Sequence, residues 1–175
     1  GDDGTIWGGE LLAVDGLGYE RLAHHPPLPL PGGDRATREP WRMALVCLGA
    51  AGEDPAAAAP TAVRDAAGRL LEPIAALARS GSTPRTSSAG RLFDAAAALL
   101  GLCQVMTFEG QAGMALEQAA AEGRDATPLP YALRPADWGP TEVDLTPALI
   151  ALAGPAGRDP ATSALRFHAT VAQAW

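Results

Sequence analysis

The sequence contains no lysine and no asparagine, so all 13 of its basic residues are arginines. Its 20 aspartates and glutamates outnumber them and give the chain a net charge of −7. Domains that bind DNA or RNA usually concentrate unpaired positive charge on one face, because contacts with phosphates dominate their affinity. The acidic balance therefore argues against nucleic acid as a direct partner.

Cysteines and long apolar runs are also scarce. Cys47 and Cys103 lie far apart, each inside an apolar helical pattern, which argues against a zinc knuckle or a disulfide framework and predicts two buried free thiols. No apolar run approaches the roughly 20 residues of a membrane span, and no basic segment precedes a short apolar one as in a signal peptide. We therefore expect a cytoplasmic protein with no membrane partner.

The residues that are present predict an α+β fold that is mainly helical. Residues 5–14 and 19–30 are two extended segments joined by Asp15-Gly16-Leu17-Gly18, which is typical of a β-hairpin turn. Prolines between 26 and 31 confine the end of the second arm to a sheet edge or an extended tail. About five to six helices follow, at 36–48, 61–79, 88–102, 111–121, 147–152 and 159–175.

Proline and glycine refine these boundaries. Pro40 indicates that the first helix starts near it, and Gly68 or Pro73 can split the second helix. An alanine-, glycine- and proline-rich stretch at 49–60 predicts a solvent-facing loop, and a proline-rich connector precedes a short strand at 141–145.

The histidines do not predict a metal site. His24 and His25 are adjacent, so they cannot point the same way from a strand, and a three-histidine site with His168 is improbable. We expect His24 and His25 at the surface and His168 partly buried with a hydrogen-bond partner.

Two helix starts are the most informative part of the sequence. Hydroxyl residues and Gly90 open one helix, Asp94 lies on its first turns, and Gly110 marks the start of the next helix. Helix N-termini attract anions, so both starts could face one anionic ligand such as a nucleotide. The pattern leaves two interpretations of Asp94 open: a solvated carboxylate near a helix N-terminus, or an acceptor for ribose hydroxyls.

Six stretches in a consistent order resemble the HypF family, the carbamoyltransferases of nickel-iron hydrogenase maturation. They are residues 3–10, 29–34, 38–44, 87–94, 108–112 and 166–168. The resemblance implies a piece of that family's last large domain, an actin/Hsp70-like nucleotide-binding domain related to the tRNA threonylcarbamoyladenosine synthase. We expect it to be truncated at both ends and to comprise a hairpin with a proline-rich tail (1–31), a helical nucleotide-facing part (32–123) and a connector with the C-terminal helix (124–175).

The resemblance also implies an activity. Family members make carbamoyl-adenylate from carbamoyl phosphate and ATP, and then transfer the carbamoyl group to the C-terminal cysteine of a partner protein, HypE. A divalent metal is expected in the full-length protein, with its ligands before Gly1 and after Trp175. The piece alone should therefore be inactive.

The implied site residues follow from matching positions. Asp94 corresponds to the aspartate that holds the nucleotide ribose in the related synthases, and Gly90 precedes it in the same Gly-x-x-x-Asp pattern. Gly110 falls in the glycine turn that lines the nucleotide, and Gln111 stands where relatives have a second glycine. The remaining candidates are Glu117 as a ribose-binding acid and Asp3 and Gly4 as the end of a phosphate loop.

Two other functions stay open at this point. One is a noncatalytic helical docking module that grips a partner protein through its hairpin and the prolines at 26–31. The other is carbamoylation of a small molecule or of tRNA in place of a protein cysteine, although the negative charge speaks against tRNA.

Overall fold

Helix α1, Pro40–Ala50, lies at the centre of the computed structural model, which describes residues 1–175. Every residue from Pro40 to Leu48 is buried, because α4 (Leu71–Arg79), α5 (Ala89–Leu99) and α7 (Thr146–Ala153) all pack against it. The side of α5 that meets the core includes four fully buried alanines, 95–98. Small side chains let two helix backbones approach closely, so the alanine run serves packing.

The other helices surround this pair. They are α2 (Pro55–Ala58), α3 (Thr61–Ala67), α6 (Gln111–Ala120) and α8 (Pro160–Ala174), with 3₁₀ turns at Gly33–Thr37, Gly68–Leu70 and Pro155–Arg158. Helix α8 packs mainly on α6, and the ring of its buried Phe167 meets Phe93 of α5 edge to face at 5.3 Å. The predicted mainly helical α+β fold is confirmed.

A four-stranded sheet pairs the N-terminal hairpin with two strands from residues 132–144. Its strands are β1 (Glu10–Val14), β2 (Tyr19–His24), β5 (Ala132–Arg134) and β6 (Thr141–Asp144), in the order β1-β2-β6-β5. Strands β1 and β2 form the predicted antiparallel hairpin, with a bulge between Leu11 and Leu12, and β2 runs parallel to β6. Two-residue strands β3 (Leu28–Pro29) and β4 (Arg85–Thr86) pair separately.

Most predicted boundaries are confirmed, and the exceptions have local causes. Helix α1 begins at Pro40 as expected. The second predicted helix breaks at Gly68, whose φ of 50° and ψ of −129° belong to glycine alone, while Pro73 sits in the first turn of α4, where no amide donor is needed. The predicted N-terminal strand is shorter, since residues 5–9 contribute only a single bridge, from Ile6 to Thr86.

Two predictions missed structure in the linkers. Residues 49–60 contain α2, which starts because the Asp54 carboxylate accepts a hydrogen bond from the Ala56 amide at 3.1 Å and Pro55 occupies the first helical position. Pro55 and Ala59 are buried, so this stretch is not wholly solvent-facing. The proline-rich connector contains β5, which is too short to give an alternating pattern.

The surface placement of the paired histidines was wrong. His24 and His25 are both buried, because β2 lies between β1 and β6 and its end is covered by the chain that follows. Each ring bonds a backbone carbonyl through Nδ1, at 2.9 Å to His25 and 2.7 Å to Pro26. His168 is partly buried and its Nδ1 lies 2.8 Å from the Ala164 oxygen, as predicted.

The remaining composition predictions can be checked directly. Cys47 and Cys103 are free and buried, and burial raises the pKa of both thiols. None of the helices combines the length and the hydropathy that crossing a membrane requires.

Candidate functional site

A cavity of about 710 Å³ lies where helices α5 and α6 begin. Arg91 comes from the first turn of α5, and Gly110 is the residue at which α6 starts. The structure thus brings both predicted helix starts to one concave surface. The cavity is lined by Thr37, Arg38, Arg91, Met106, Thr107, Phe108, Glu109 and Gly110.

Backbone geometry fixes the α6 side of this cavity. Gly110 has a φ of 82°, in the left-handed region that favours glycine, and its carbonyl accepts the first helical hydrogen bond from Met114 at 3.0 Å. The side-chain oxygen of Gln111 accepts hydrogen bonds from the amide and the hydroxyl of Thr107, at 2.7 and 3.2 Å. Gln111 therefore holds the loop at the cavity wall.

Charge in the cavity is mainly positive. Arg38 and Arg91 contribute guanidinium groups, and Glu109 is the one carboxylate among the lining residues. The positive ends of the helix dipoles of α5 and α6 lie at the same place. This combination favours an anionic ligand.

Asp94 lies behind the cavity wall. The residue is only 3% exposed, which excludes the solvated carboxylate that the sequence left open. Its Oδ2 lies 3.0 Å from Nη1 of Arg91, three residues earlier on α5. Burial raises the pKa of the Asp94 carboxyl to about 6, and the Arg91 charge opposes that rise.

The other predicted site residues are dispersed. Gly90 is exposed on the first turn of α5 and does not line the cavity. Glu117 is exposed on α6 and lines a separate groove of about 500 Å³, which also contacts Gln111 and Phe108. Phe108 is shared by the two concave surfaces, so they are neighbours.

Asp3 and Gly4 belong to a third cluster near the sheet. Asp3 Oδ1 accepts hydrogen bonds from the Thr5 amide at 2.9 Å and from Trp7 Nε1 at 3.0 Å. Asp3 Oδ2 lies 2.9 Å from Nη1 of Arg21. Hydrogen bonds from Thr5 hold the pKa of Asp3 well below its usual range. The Asp3 carboxylate is thus already occupied, while Gly4 forms a turn with a φ of 75°.

The N-terminal segment still contributes to the site, because it supports the start of α5. The Gly8 carbonyl accepts a hydrogen bond from the Ala89 amide at 3.1 Å, and the Ile6 carbonyl accepts one from Ser87 at 3.0 Å. A Cβ atom on Gly9 would collide with the Ser87 carbonyl and with the Ala89 amide. These close contacts fix where the helix begins.

Sequence reasoning missed Arg38, Arg91 and Phe108 as lining residues. One signal was available for Arg91, since an arginine and an aspartate three residues apart on a helix lie on one face. Arg38 and Phe108 come to the site only through the tertiary fold, which no local pattern predicts. The Arg38 carbonyl accepts a hydrogen bond from the Met106 amide at 2.8 Å, which joins the two chain segments at the cavity.

The donor set does not form a metal site. In no place do three or more histidine, cysteine, aspartate or glutamate side chains come together as metal ligands would. The residues of this chain alone therefore do not fit a divalent ion.

Comparison with known proteins identifies the family. The family model for the second subdomain of the carbamoyltransferase Kae1-like domain matches residues 1–175. The chain belongs to the HypF carbamoyltransferase family. It is 47% identical to carbamoyltransferase HypF of Rhodobacter capsulatus over 178 aligned positions, covering 100% of this chain and 22% of that protein. Carbamoyltransferase HypF2 of Cupriavidus necator is 43% identical, with 99% of this chain and 24% of that protein covered.

Solved HypF structures share the fold. A crystal structure of full-length HypF in the phosphate- and nucleotide-bound form superposes with a TM-score of 0.81 at 30% identity, covering 99% of this chain and 22% of that one. The HypF structure from T. kodakarensis gives a TM-score of 0.78 at 26% identity, covering 98% of this chain and 23% of that one. The chain thus spans about a quarter of the length of these HypF proteins.

Proposed function

We propose that this chain forms part of the nucleotide site of a longer HypF-type carbamoyltransferase. The observation that carries the proposal is its similarity, over 99% of its length, to full-length HypF in a phosphate- and nucleotide-bound form. The cavity between α5 and α6 supports it, because two arginines and two helix N-termini suit an anionic ligand.

In this proposal the ligand is ATP or the carbamoyl-adenylate made from it. Gly110 contacts the ligand directly, Gln111 holds the loop at the cavity wall, and Asp94 lies behind Arg91. Glu117 lines the neighbouring groove, and Gly90 lies on the exposed first turn of α5. Asp3 and Gly4 end a loop that approaches the phosphates only when other parts of the protein complete the site. The divalent metal expected for the family would be held by residues outside this chain.

The proposed reaction has two stages. Carbamoyl phosphate and ATP supply carbamoyl-adenylate in a neighbouring domain. The C-terminal thiolate of HypE then attacks the carbamoyl carbon, the bond to the adenylate oxygen breaks, and AMP leaves. Such a transfer depends on positioning and on positive groups that stabilise the developing oxyanion, so no acid or base from this chain is required.

Calorimetry with ATP and AMP on the full-length protein tests the nucleotide site. Gly110→Val should abolish binding, because a β-branched residue is strained at a φ of 82°, whereas Gly110→Asn should retain most of it, since asparagine tolerates this region. A wild-type protein that binds neither nucleotide would contradict the proposal.

The acceptor is tested separately. Mass spectrometry should detect a carbamoyl group on the C-terminal cysteine of HypE after incubation with carbamoyl phosphate, ATP and the full-length protein. Carbamoylation of a small molecule with HypE left unmodified would favour the alternative acceptor.

The docking alternative loses one of its two supports, the proline segment. Leu28 and Leu30 in the proline segment are buried, and β3 pairs with β4, so this segment is part of the core. It is not free to grip a partner.

A further inference from the structure

Glu10, the first residue of β1, is tied to the start of α5. Its side chain is only 6% exposed and lines neither of the concave surfaces described above. Glu10 Oε2 accepts hydrogen bonds from the amides of Gly8 and Gly9, at 2.6 and 2.8 Å. Glu10 Oε1 accepts one from the hydroxyl of Ser87, just before α5 begins. One carboxylate therefore joins the N-terminal segment to the chain that enters α5.

The donors around Glu10 favour its charged form. Successive backbone amides such as those of Gly8 and Gly9 make a concave donor site that suits a negative charge. Burial alone would raise the pKa of Glu10, but the hydrogen bonds from Ser87 and the two glycines outweigh it and hold that pKa below its usual value. Hydrogen bonds to an ionised group are roughly twice as strong as those between neutral groups. The carboxylate is thus a strong link between the two segments.

Arg21 of β2 holds the Glu10 carboxylate from another side. Arg21 Nη2 lies 3.0 Å from Glu10 Oε1, and Arg21 Nη1 lies 2.9 Å from Asp3 Oδ2. The guanidinium also lies over the Trp7 ring, 4.2 Å from its centroid, where a cation is favoured. These neighbours leave the Arg21 side chain only 12% exposed. Arg21 therefore restricts the Glu10 carboxylate to the position in which it meets Ser87.

The first turn of α5 depends on these contacts more than the rest of the helix does. Alanines 95–98 are fully buried, so packing in the core fixes the middle of α5. The residue that precedes the first turn, Ser88, makes no capping hydrogen bond with its side chain. The start of the helix is held instead from outside, in part through the bond between Glu10 and Ser87. Because Arg91 in this turn lines the cavity, a shift of the turn would move the cavity wall.

We propose that Glu10 is a positioning residue of the nucleotide site, which holds the start of α5 in its binding position without touching the ligand. This inference rests on the proposed function and deepens it, since it adds a residue that lies outside the cavity. In catalysis, a misplacement of about 1 Å caused by a distant change can cost on the order of a hundredfold. A residue behind the wall of a site can therefore govern what the site binds.

Calorimetry of AMP binding to the full-length protein, well below its melting temperature, tests the positioning role. Glu10→Ala removes the contacts with Gly8, Gly9, Ser87 and Arg21, and should weaken AMP binding roughly tenfold or more. Glu10→Gln should fall between, because its amide oxygen can accept from the glycine amides while its amide nitrogen cannot accept from Ser87 or Arg21. Wild-type AMP affinity in a folded Glu10→Ala variant would overturn the proposal, since Glu10 would then serve stability alone.

Asp144→Asn is the matched control for Glu10→Gln. Asp144 is also a buried carboxylate, which accepts hydrogen bonds from the Thr146 amide at 2.9 Å and from Arg134 at 2.7 Å. It lies beside Ala50 at the C-terminal end of α1 and does not line the nucleotide cavity. Asp144→Asn should lower the melting temperature but leave AMP affinity unchanged. An equal loss of AMP affinity in both variants would mean that general destabilisation explains it, and would overturn the proposal.

Ser87→Ala keeps the proposal testable if Glu10→Ala does not fold. It removes one hydroxyl and should weaken AMP binding in the same direction as Glu10→Gln. The double variant should lose less binding free energy than the sum of the single variants, because both substitutions break the same contact. Fully additive losses would overturn the link between Glu10 and Ser87. A wild-type protein that binds neither AMP nor ATP would instead remove the proposed function itself.

Discussion

At the residue scale, Asp94 should make stability depend on pH. Because burial raises the pKa of Asp94 to about 6, the folded state keeps its proton at pH values where the unfolded chain, with an ordinary pKa near 3.9, has lost it. The stability contributed by this group is therefore fully present below about pH 4 and is lost as pH rises to about 6. The loss is on the order of 3 kcal/mol.

Urea unfolding of wild type and Asp94→Asn at several pH values checks this prediction. Asparagine has nearly the same shape but cannot ionise, so the variant should gain on the wild type between pH 4 and pH 7. Other carboxyl groups titrate in both proteins and cancel in the difference. A difference that does not vary with pH would show that the Asp94 carboxyl titrates normally.

Gly9 should be intolerant of any side chain. A Cβ there would lie against the Ser87 carbonyl and 2.8 Å from the Ala89 amide, and neither backbone group can move without shifting the start of α5. Gly9→Ala should destabilise the protein by about 1–3 kcal/mol, as overpacking usually does. Gly18→Ala is the control in thermal unfolding, since its Cβ would meet nothing within 4 Å and its φ is not positive. Equal melting temperatures for the two variants would contradict the prediction.

The sequence predicted the location of the cavity better than the residues that line it. The hydroxyl-glycine pattern before α5 and the glycine before α6 located both helix starts. The pattern could not show that Asp94 is buried, because that depends on how α5 packs against α1 and on the position of Arg91. Nor could the pattern show that both oxygens of the Asp3 carboxylate already accept hydrogen bonds, since one of their partners, Arg21, comes from β2.

At the scale of elements, the break between α3 and α4 should depend on Gly68. Its φ of 50° and ψ of −129° are strained for any other residue, although a Cβ would meet no neighbour. Gly68→Ala should therefore cost about 1–3 kcal/mol through conformation alone. Gly113→Ala inside α6 should instead stabilise by roughly 0.5–1 kcal/mol, because alanine is the better helix former and the space is open. Denaturant midpoints of the two variants that moved in the same direction would refute this contrast.

Prediction from the sequence succeeded for the long helices and failed for the shortest strands. Helices α1, α5 and α8 span three or more turns, so an apolar stripe is visible in each. Strands β3, β4 and β5 have two or three residues, too few to alternate, and they exist because distant segments present free backbone groups beside them. Their pairing is a property of the tertiary fold.

At the scale of the whole molecule, the β1-β2 hairpin carries an exposed apolar surface. Leu17 at its turn is fully exposed and Val14 is 71% exposed, while only the end of β2 is buried. Strand β1 is also a sheet edge with unpaired backbone groups, although its bulge twists the edge. Exposed apolar side chains beside an open sheet edge promote association.

Residues 1–175 studied alone should therefore self-associate as concentration rises. Replacing Val14 and Leu17 together by serine should shift sedimentation velocity profiles toward the monomer, because apolar area is removed without touching the core. Trp138→Ser is the control, since Trp138 is 94% exposed on the connector and lies outside the hairpin. If the tryptophan variant dissociates the protein equally well, general surface hydrophobicity and not the hairpin drives association. A wild-type chain that stays monomeric at every concentration would mean that the bulge and the acidic surface already protect the β1 edge.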